Sequence, residues 1–244
     1  MISNPYIHRG PVIGEAFFGR KEELRRILQL LGAAQPHNIA ISGPERIGKS
    51  SLLRQLCEIV GSRELPKFAF KYVDVQGMTD PVSFFRQASG RQAEDGDEFR
   101  EWLEDQTQTI IFCLDEFGKT VVSENFDRDF FDILRHIAGS DRAALITSTL
   151  SALPNLTIPD DPILSRFFNL FTPLPLGPLT DAEARQLASE PAIGVGLPFT
   201  PEEIDDAVRV TSCHPFHLQL FCYHLFEAKR KGDGIPPDLA QVQC

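Results

Sequence analysis

The chain lacks any apolar run near the ~20 residues needed to cross a lipid bilayer. Its first residues also lack the basic and then apolar pattern of a secretory signal peptide. Both absences argue against a membrane-spanning or exported protein, and we therefore expect a cytoplasmic one. Hydrophobic residues make up 42% of the 244 residues and charged residues 24%, which is ordinary for a globular protein.

Positive charge is also scarce. The chain has 24 lysines and arginines against 34 acidic residues, and its formal net charge is −10. Proteins bind nucleic acids through a basic face, so this balance argues against nucleic acid as a partner of this segment. The tightest basic cluster, at 229–231, has the position of cations that stabilise the C-terminal end of a helix.

The five cysteines fall at irregular positions within apparent core elements, and their number is odd. This pattern predicts reduced, buried thiols rather than a disulfide framework. The positions are Cys57, Cys113, Cys213, Cys222 and Cys244. His214 and His217 lie near two of these cysteines, but the spacings typical of a zinc site are absent.

One segment has the pattern G-x-x-x-x-G-K-[ST] of the loop that wraps the phosphates of a nucleoside triphosphate. It consists of Gly43, Pro44, Glu45, Arg46, Ile47, Gly48, Lys49 and Ser50, followed by Ser51. The glycines let successive backbone N–H groups point at the phosphates, and the next helix presents its positive end to them. In this pattern Lys49 reaches the β- and γ-phosphates, and the Ser50 hydroxyl holds Mg²⁺.

The flanks of this segment have the required character. Residues 37–42 form a short, mostly apolar run of strand type, and the helix predicted after the loop carries Leu52, Leu53 and Leu56 on one face. Strand, glycine loop and helix is the order that the motif requires. We therefore interpret 43–51 as a site for nucleotide phosphates rather than as a chance glycine turn.

A second segment ends in two acids. Residues 109–114 form an uninterrupted apolar run that Asp115 and Glu116 follow, which predicts a buried parallel strand whose carboxyl end opens onto a site. Asp115 is placed to hold the Mg²⁺ shell through water, and Glu116 to orient or deprotonate the attacking water. A core strand that merely ends in an acidic turn is the alternative, and the phosphate loop earlier in the chain favours the paired site.

Strands alternate with helices over most of the chain. Further strands are predicted at 67–75 and 143–149, and helices at about 20–32 and 127–136, with a polar loop at 89–98. This order predicts an α/β fold, a parallel sheet sandwiched by helices.

Beyond about residue 173 the pattern is helical only. Capping boxes begin at Thr180 and Thr200, and a last helix runs from His214 to about Lys231. We divide the chain into four parts: an N-terminal arm (1–19), a P-loop ATPase core (20–172), a small all-helical lid (173–231) and a tail or linker (232–244).

With these elements in place, the chain resembles the AAA+/STAND class of P-loop ATPases, in particular bacterial STAND-type and archaeal-ATPase-like modules. The resemblance covers nearly the whole chain and implies ATP and Mg²⁺ as ligands. Besides the phosphate loop and the acidic strand end, it rests on Asn4-Pro5-Tyr6, Gly10-Pro11-Val12, Phe18-Gly19-Arg20 leading to Glu23-Leu24, Gly177-Pro178-Leu179, and His214-Pro215-Phe216-His217-Leu218-Gln219.

The segment that starts at His214 looks like the Gly-x-Pro lid motif of that class, in which the proline packs near the adenine. By this resemblance Pro215 contacts the base, and Cys213 stands where the motif usually has glycine. Val12 and Phe18 of the arm, with Ile13 between them, would line the other side of the base. The alternative role for Pro215 is simple initiation of a helix.

Two further roles follow from the resemblance. The polar end of the 143–149 strand lies where a sensor of the γ-phosphate is expected, so Thr147 or Ser148 would hydrogen-bond the phosphate or the attacking water. Otherwise these hydroxyls simply satisfy a strand end. Residues 164–167 resemble the segment from which AAA+ subunits donate an arginine to a neighbour's nucleotide, a role that here falls to Arg166. An ordinary surface ion pair is its alternative.

The function that the resemblance implies is an ATP-binding, slowly hydrolysing switch whose lid responds to the nucleotide and whose partners are other copies or other protein domains. The absence of the guanine-reading Asn/Thr-Lys-x-Asp motif supports ATP. One alternative is a DNA-handling AAA+ ATPase of the origin-recognition or clamp-loader type, which requires a more positive surface and a winged-helix domain. Another is a nucleotide-dependent scaffold without hydrolysis, against which the intact Lys49, Ser50, Asp115 and Glu116 argue.

Overall fold

A computed structural model of the chain describes residues 2–121, 123, 125–153 and 162–232. The chain divides into two compact units. The first, here the loop–lid unit, comprises Met1–Lys21, Glu45–Ser51 and Gly177–Cys244. The second, the sheet unit, comprises Glu22–Pro44 and Leu52–Leu176. The phosphate-loop segment therefore groups with the helical end of the chain, whereas the strand that precedes it groups with the sheet.

The sheet unit is built on a parallel five-stranded sheet with the order β2-β3-β4-β1-β5. The strands are β1 Asn38–Ser42, β2 Phe68–Asp74, β3 Thr109–Asp115, β4 Ala143–Thr149 and β5 Phe171–Pro175. Strand β4 is buried along its whole length and β3 nearly so, because helices cover both faces of a central parallel strand. All four strands predicted from the sequence are confirmed.

Helices connect these strands. They are α1 Lys21–Leu31, α2 Lys49–Gln55, α3 Gly61–Glu64, α4 Pro81–Ser89, α5 Gly96–Glu104, α6 Phe117–Val121, α7 Arg128–Ala138 and α8 Pro162–Phe168, with a π-helix at Leu56–Val60 between α2 and α3. Aspartates cap several of them: Asp80 accepts a hydrogen bond from the Ser83 amide, and Asp127 from the Phe130 amide. These carboxylates satisfy backbone donors that the first helical turn leaves unpaired.

Aromatic rings fill much of the core of the sheet unit. Phe84, Phe99, Phe112 and Phe130 are buried together, with ring centroids 5.2 Å apart for Phe84 and Phe130 and 5.8 Å apart for Phe99 and Phe112. Burial of such large apolar side chains is the main force that holds the helices on the sheet.

The loop–lid unit is helical. It contains α9 Asp181–Gly194, α10 Pro201–Thr211 and α11 Pro215–Lys231, preceded in the arm by a 3₁₀ turn at Gly14–Ala16. The capping boxes predicted at Thr180 and Thr200 are both present. The core of this unit includes several alanines, among them Ala184 and Ala188, whose small side chains let helices approach closely. Tyr6 of the arm is buried in this core, with its hydroxyl donating to the Ala188 carbonyl.

The fold departs from the sequence prediction at two places. Strand β5 extends to Pro175, where only helices were expected, and α5 begins at Gly96, inside the stretch predicted as a polar loop. Pro173 and Pro175 argue against a strand in the sequence, because proline has no backbone N–H to donate to a neighbouring strand. The strand tolerates them because, among the described strands, it lies at the edge of the sheet and pairs only with β1.

The cysteine prediction is confirmed where it can be checked. Cys57, Cys113 and Cys222 are buried free thiols, and Cys213 is a half-buried one. Cys244 and the tail from 233 onward lie outside the described residues. Among the described helices, none combines the length and the apolar character that crossing a membrane requires.

Candidate functional site

The phosphate loop starts at the carboxyl end of β1. The Gly43 amide donates to the Thr149 carbonyl at 3.2 Å, so the chain leaves the sheet beside the end of β4. Within the loop Arg46 has a φ of 58° and Gly48 a φ of 99°, both in the left-handed region. A Cβ at Gly48 would meet no atom within 4 Å, so its backbone conformation, not lack of space, favours glycine there.

The two residues that the motif assigns to the phosphates and the metal follow directly. Lys49 opens α2 and is 6% exposed, and Ser50 is half-buried. The next hydroxyl is already in use, because Ser51 Oγ accepts a hydrogen bond from the Val12 amide at 3.1 Å. Ser51 therefore holds the N-terminal arm onto the loop, which is a role that sequence analysis did not assign to it.

Residues of the arm and lid contact the phosphate loop inside the loop–lid unit. Arg20 donates to the Ile47 carbonyl at 2.9 Å, and the Arg46 guanidinium lies 4.4 Å from the centre of the Phe216 ring. His214 hydrogen-bonds the backbone of Glu45, while burial and the neighbouring His217 lower the pKa of its imidazole. Three consecutive loop residues are thus each held by a residue from elsewhere in this unit.

The acidic end of β3 is the centre of a hydrogen-bond network in the sheet unit. Asp115 is 3% exposed. It accepts from the Tyr72 hydroxyl at 2.7 Å through Oδ2, and from the Ser148 hydroxyl at 2.5 Å and the Glu116 amide at 3.1 Å through Oδ1. Because β2 and β4 flank β3, one hydroxyl reaches the carboxylate from each side. These three hydrogen bonds fix the orientation of the Asp115 carboxylate.

Tyr72 is a site residue that sequence analysis missed. Its pKa is raised, first by burial and then by its hydrogen bond to Asp115, so the phenol stays a donor. The Arg54 guanidinium lies 4.6 Å from the centre of the Tyr72 ring. A signal was available in the alternation of β2, because Tyr72 precedes the strand end by two residues and so shares a face with Asp74.

Glu116 turns the chain sharply after β3. Its φ is 59°, a conformation that costs a non-glycine residue roughly 1–2 kcal/mol. Its amide donates to Ser148 Oγ at 3.0 Å as well as to Asp115. Strained backbone of this kind concentrates at functional sites.

The two hydroxyls considered as sensors differ. Ser148 is committed to Asp115 and Glu116, as described above. Thr147 is fully buried, and its Oγ1 has no hydrogen-bond partner in the described part of the chain. Successive strand residues point to opposite faces, so these side chains cannot serve one and the same ligand position.

Cys213, which stands where the lid motif usually has glycine, lies in the turn just before α11. Ser212 and Cys213 have φ values of 49° and 60°, and Pro215 then occupies the first turn of the helix. Glycine is usual where the backbone is left-handed, and Cys213 adopts that conformation without being glycine. Pro215, Val12 and Phe18 are half-buried, and Phe18 packs against the core of the unit.

Arg166 lies on α8, exposed to solvent. Of the other predicted residues, Lys49 and Ser50 belong to the loop–lid unit, and Asp115 and Glu116 to the sheet unit. The donor set suits Mg²⁺, because a serine hydroxyl and a carboxylate are the hard oxygen ligands that this ion prefers. The backbone amides of the loop and the Lys49 ammonium suit a polyphosphate.

A family model described as Novel STAND NTPase 1 matches residues 13–234 of the chain. A search of curated proteins finds no match.

Solved structures share the fold at low identity. The ORC2 protein of Aeropyrum pernix, in its ADPNP–ADP complexes, is 14% identical with a TM-score of 0.70, over 94% of this chain and 69% of that one. The ORC1 protein of the same organism, in complex with DNA, is 18% identical with a TM-score of 0.68, over 93% of this chain and 64% of that one. The Walker-type ATPase paby2304 of Pyrococcus abyssi is 17% identical with a TM-score of 0.70, over 98% and 73%.

Proposed function

The chain belongs to the novel STAND NTPase 1 family, and we propose that it is a Mg²⁺-dependent, slowly hydrolysing ATP switch whose lid responds to the bound nucleotide. The observation that carries the proposal is the combination of a complete phosphate loop with a preorganised Asp115-Glu116 pair at the end of β3. Switch function is supported by the contacts of Arg20, His214 and Phe216 with the loop, because these residues flank or begin the lid helices.

ATP binding would use the loop–lid unit in two ways. Backbone amides of 45–50 and the Lys49 ammonium would bind the β- and γ-phosphates. Pro215 would contact the adenine from the lid, with Val12 and Phe18 on the arm side. Bound Mg²⁺, held by the Ser50 hydroxyl and through water by Asp115, would supply positive charge to the phosphate oxygens.

Hydrolysis would depend on the sheet unit. Glu116 would orient or deprotonate the attacking water, and the buried network around Asp115 would hold the metal-binding carboxylate in place. Thr147 or Ser148 would monitor the γ-phosphate. Ser148 lies on the face of the Asp115 carboxylate and already donates to it, whereas the buried Thr147 hydroxyl on the opposite face has no hydrogen-bond partner among the described residues.

The first experiment is ATP binding by calorimetry, with phosphate release measured in parallel. We expect micromolar-range affinity for the wild type and loss of binding in Lys49→Ala. Glu116→Gln should retain nucleotide but stop phosphate release. Lys67→Ala, which removes an ammonium near the start of β2, is the matched control and should bind like the wild type. Equal ATP binding by the wild type and Lys49→Ala would refute the proposal.

Self-association is the expected output of the switch. Arg166 is exposed, so it is available to the nucleotide of a neighbouring copy, where an arginine can raise turnover by ~10³-fold or more. We expect turnover per subunit to climb with protein concentration in the wild type and to stay flat in Arg166→Ala. Concentration-independent turnover in both proteins would remove Arg166 from this role.

A nucleic-acid partner is tested by fluorescence anisotropy with a labelled DNA duplex. The net charge of −10 predicts no binding through this segment at physiological salt. Salt-dependent binding with and without ATP would instead favour a DNA-handling ATPase.

A further inference from the structure

Arg20 is a buried cation to which the proposed function gives no contact with ATP or Mg²⁺. It is 3% exposed, in a class of residue that is almost never buried without partners. Its side chain donates hydrogen bonds to three backbone carbonyls: to Ile47 at 2.9 Å, to Gly177 at 2.7 Å and to Pro178 at 3.5 Å. One guanidinium therefore joins the phosphate loop to the two residues that precede the lid helices.

The backbone of Arg20 is fixed from the lid side. Glu183, in the first turn of α9, accepts hydrogen bonds from the amides of Arg20 and Lys21. Gly19 allows the close approach, because a Cβ there would lie 3.0 Å from the side chains of both Glu183 and Leu179. Because α9 holds the main chain of Arg20, a movement of the phosphate loop can reach Arg20 only through its side chain.

The Ile47 carbonyl is a sensitive point of the phosphate loop. It belongs to the same planar peptide unit as the Gly48 amide, and in a trans peptide the C=O and the N–H lie in that plane and point in opposite directions. A donor that holds the Ile47 carbonyl therefore sets the direction of the Gly48 N–H, one of the groups that would face a phosphate. In the reverse sense, a phosphate that pulls on the Gly48 N–H rotates the peptide and moves the carbonyl that Arg20 holds.

We propose that Arg20 is a positioning residue that couples the peptide plane between Ile47 and Gly48 to the Gly177–Pro178 segment, so that occupancy of the phosphate loop is transmitted to the base of the lid. This inference rests on the proposed function, because it concerns the same loop. It requires the planar fork of arginine, since a lysine ammonium cannot span carbonyls on two separate segments with the same geometry.

A second connection between loop and lid has to be separated from this one. The stacking of Arg46 on Phe216 reaches the start of α11 rather than the Gly177–Pro178 segment. Phe216→Leu removes that stacking and leaves every Arg20 contact in place. Tripolyphosphate, which has no base, separates the loop from the adenine: any effect it has on the lid starts at the phosphates.

The experiment is amide hydrogen exchange on the wild type, Arg20→Lys, Phe216→Leu and the exposed control Arg26→Gln, each with and without tripolyphosphate. The reporters are peptides over the loop (43–51) and over 177–180, where the Leu179 amide donates to the Cys213 carbonyl. In the wild type and both controls, tripolyphosphate should slow exchange in both peptides by about fivefold or more. In Arg20→Lys it should slow the loop alone, with roughly tenfold weaker binding from the lost carbonyl contact.

Two results would overturn the proposal. The first is that tripolyphosphate still slows exchange in 177–180 in Arg20→Lys. The second is that in the wild type it slows exchange in the loop but not in 177–180. If neither tripolyphosphate nor ATP binds the wild type, the proposed function fails, and Arg20 is then judged from ligand-free exchange. There Arg20→Lys should accelerate exchange in 43–51 and 177–180 together and leave the peptide around Gly196 unchanged. Acceleration of one segment alone would refute the coupling. Should Arg20→Lys not fold, Arg20→Gln replaces it, and protection of 177–180 by tripolyphosphate in that variant would overturn the proposal in the same way.

Discussion

The loop–lid unit and the sheet unit build their parts of the candidate site from different atoms. In the loop–lid unit the groups that matter are mostly backbone: the amides of the phosphate loop, the Ile47 carbonyl and the left-handed turn before Pro215. In the sheet unit they are side chains at strand ends, with Asp115 bound by Tyr72 and Ser148. Apart from Lys49 and Ser50, whose side chains would bind the phosphates and the metal, substitutions in the loop–lid unit should therefore act mainly on conformation, and substitutions in the sheet unit on chemistry.

The hydrophobic cores of the two units differ in the size of their side chains. Large aromatic rings dominate the core of the sheet unit, whereas alanines interleave with Leu218, Phe221 and Phe226 in the loop–lid unit. A core of small side chains buries less apolar area per residue, so it gains less free energy from burial. We expect the loop–lid unit to be the less stable of the two, which suits the lid movement proposed above.

The largest expected effect is in the chemistry of the sheet unit. Asp115→Asn keeps the volume but removes the charge that would hold the metal shell, and we expect phosphate release to fall by about 100-fold or more. The matched control is Asp74→Asn, at the paired position of β2, where the carboxylate accepts from the Gln76 amide instead. Steady-state phosphate release measures both. Similar losses in the two variants would contradict a special role for Asp115.

The second effect tests whether the hydroxyls around Asp115 support it. Tyr72→Phe removes the 2.7 Å hydrogen bond to the carboxylate and should lower the free energy of unfolding of the sheet unit by about 1.5–2 kcal/mol. Urea denaturation followed by the fluorescence of Trp102, which is buried in the same core, reports on this unit directly. Tyr223→Phe in the loop–lid unit is the control, and its Trp102 transition should shift by less than ~0.5 kcal/mol. A Tyr72→Phe transition that matches the control would show that the hydrogen bond contributes little.

A third and smaller effect sharpens the conformational side of the comparison. Cys213→Gly relieves the left-handed strain of roughly 1–2 kcal/mol, and the extra freedom of glycine in the unfolded chain offsets part of this gain. We expect a net stabilisation of about 0.5–1 kcal/mol in the loop–lid unit. Ser189→Gly, inside α9, should instead destabilise this unit by a similar amount. Hydrogen exchange in α10 and α11 gives both values, and a loss of stability in Cys213→Gly would refute the strain argument.

The smallest expected effect is a pH dependence of stability that is confined to the loop–lid unit. Burial is the main cause that lowers the pKa of His8 and of His214, aided by Arg9 and His224 at the former and by His217 and Arg20 at the latter. The folded unit thus takes up protons less readily than the unfolded chain, so its stability falls as the pH drops below ~6.5. Above that pH both states are neutral, and the contribution disappears.

This dependence is measured by hydrogen exchange at pH 7.5 and 5.5, corrected for intrinsic rates. Amides of α11 should lose protection at the lower pH, whereas those of β4 should not. The double variant His8→Gln and His214→Gln should abolish the difference. The lowered carboxyl pKa values of Glu183 and Glu227 in the same unit act only below this window. Equal losses in α11 and β4 would point to a general effect of acid instead.

Much of the fold was predictable because it rests on local patterns. Continuous apolar runs predicted β3 and β4, capping boxes predicted the starts of α9 and α10, and the glycine pattern predicted the loop before α2. Strand β5 was not predictable in this way, because its prolines are acceptable only at a sheet edge, and edge position is a property of the whole sheet.

The residues of the candidate site also fall into two groups, those that local sequence patterns predict and those that they do not. Lys49, Ser50, Asp115 and Glu116 follow from motifs, in which residue type and spacing carry the chemistry. The supporting residues do not, because Tyr72 reaches Asp115 through the register of neighbouring strands, and Arg20 reaches Ile47 across 27 positions of sequence. The alternation of β2 places Tyr72 on the face of Asp74 but does not identify Asp115 as its partner, and nothing near Arg20 in the sequence marks Ile47.

The amino-acid sequence by itself determined the phosphate loop, the acidic strand and the order of strands and helices, since each depends on contacts between neighbours in the chain. Only the tertiary structure decided which hydroxyls hold the Asp115 carboxylate and which carbonyls receive the buried Arg20 guanidinium. The physical reason is that a buried polar group must find a partner wherever the packed chain places one, and that location emerges only when distant segments come together.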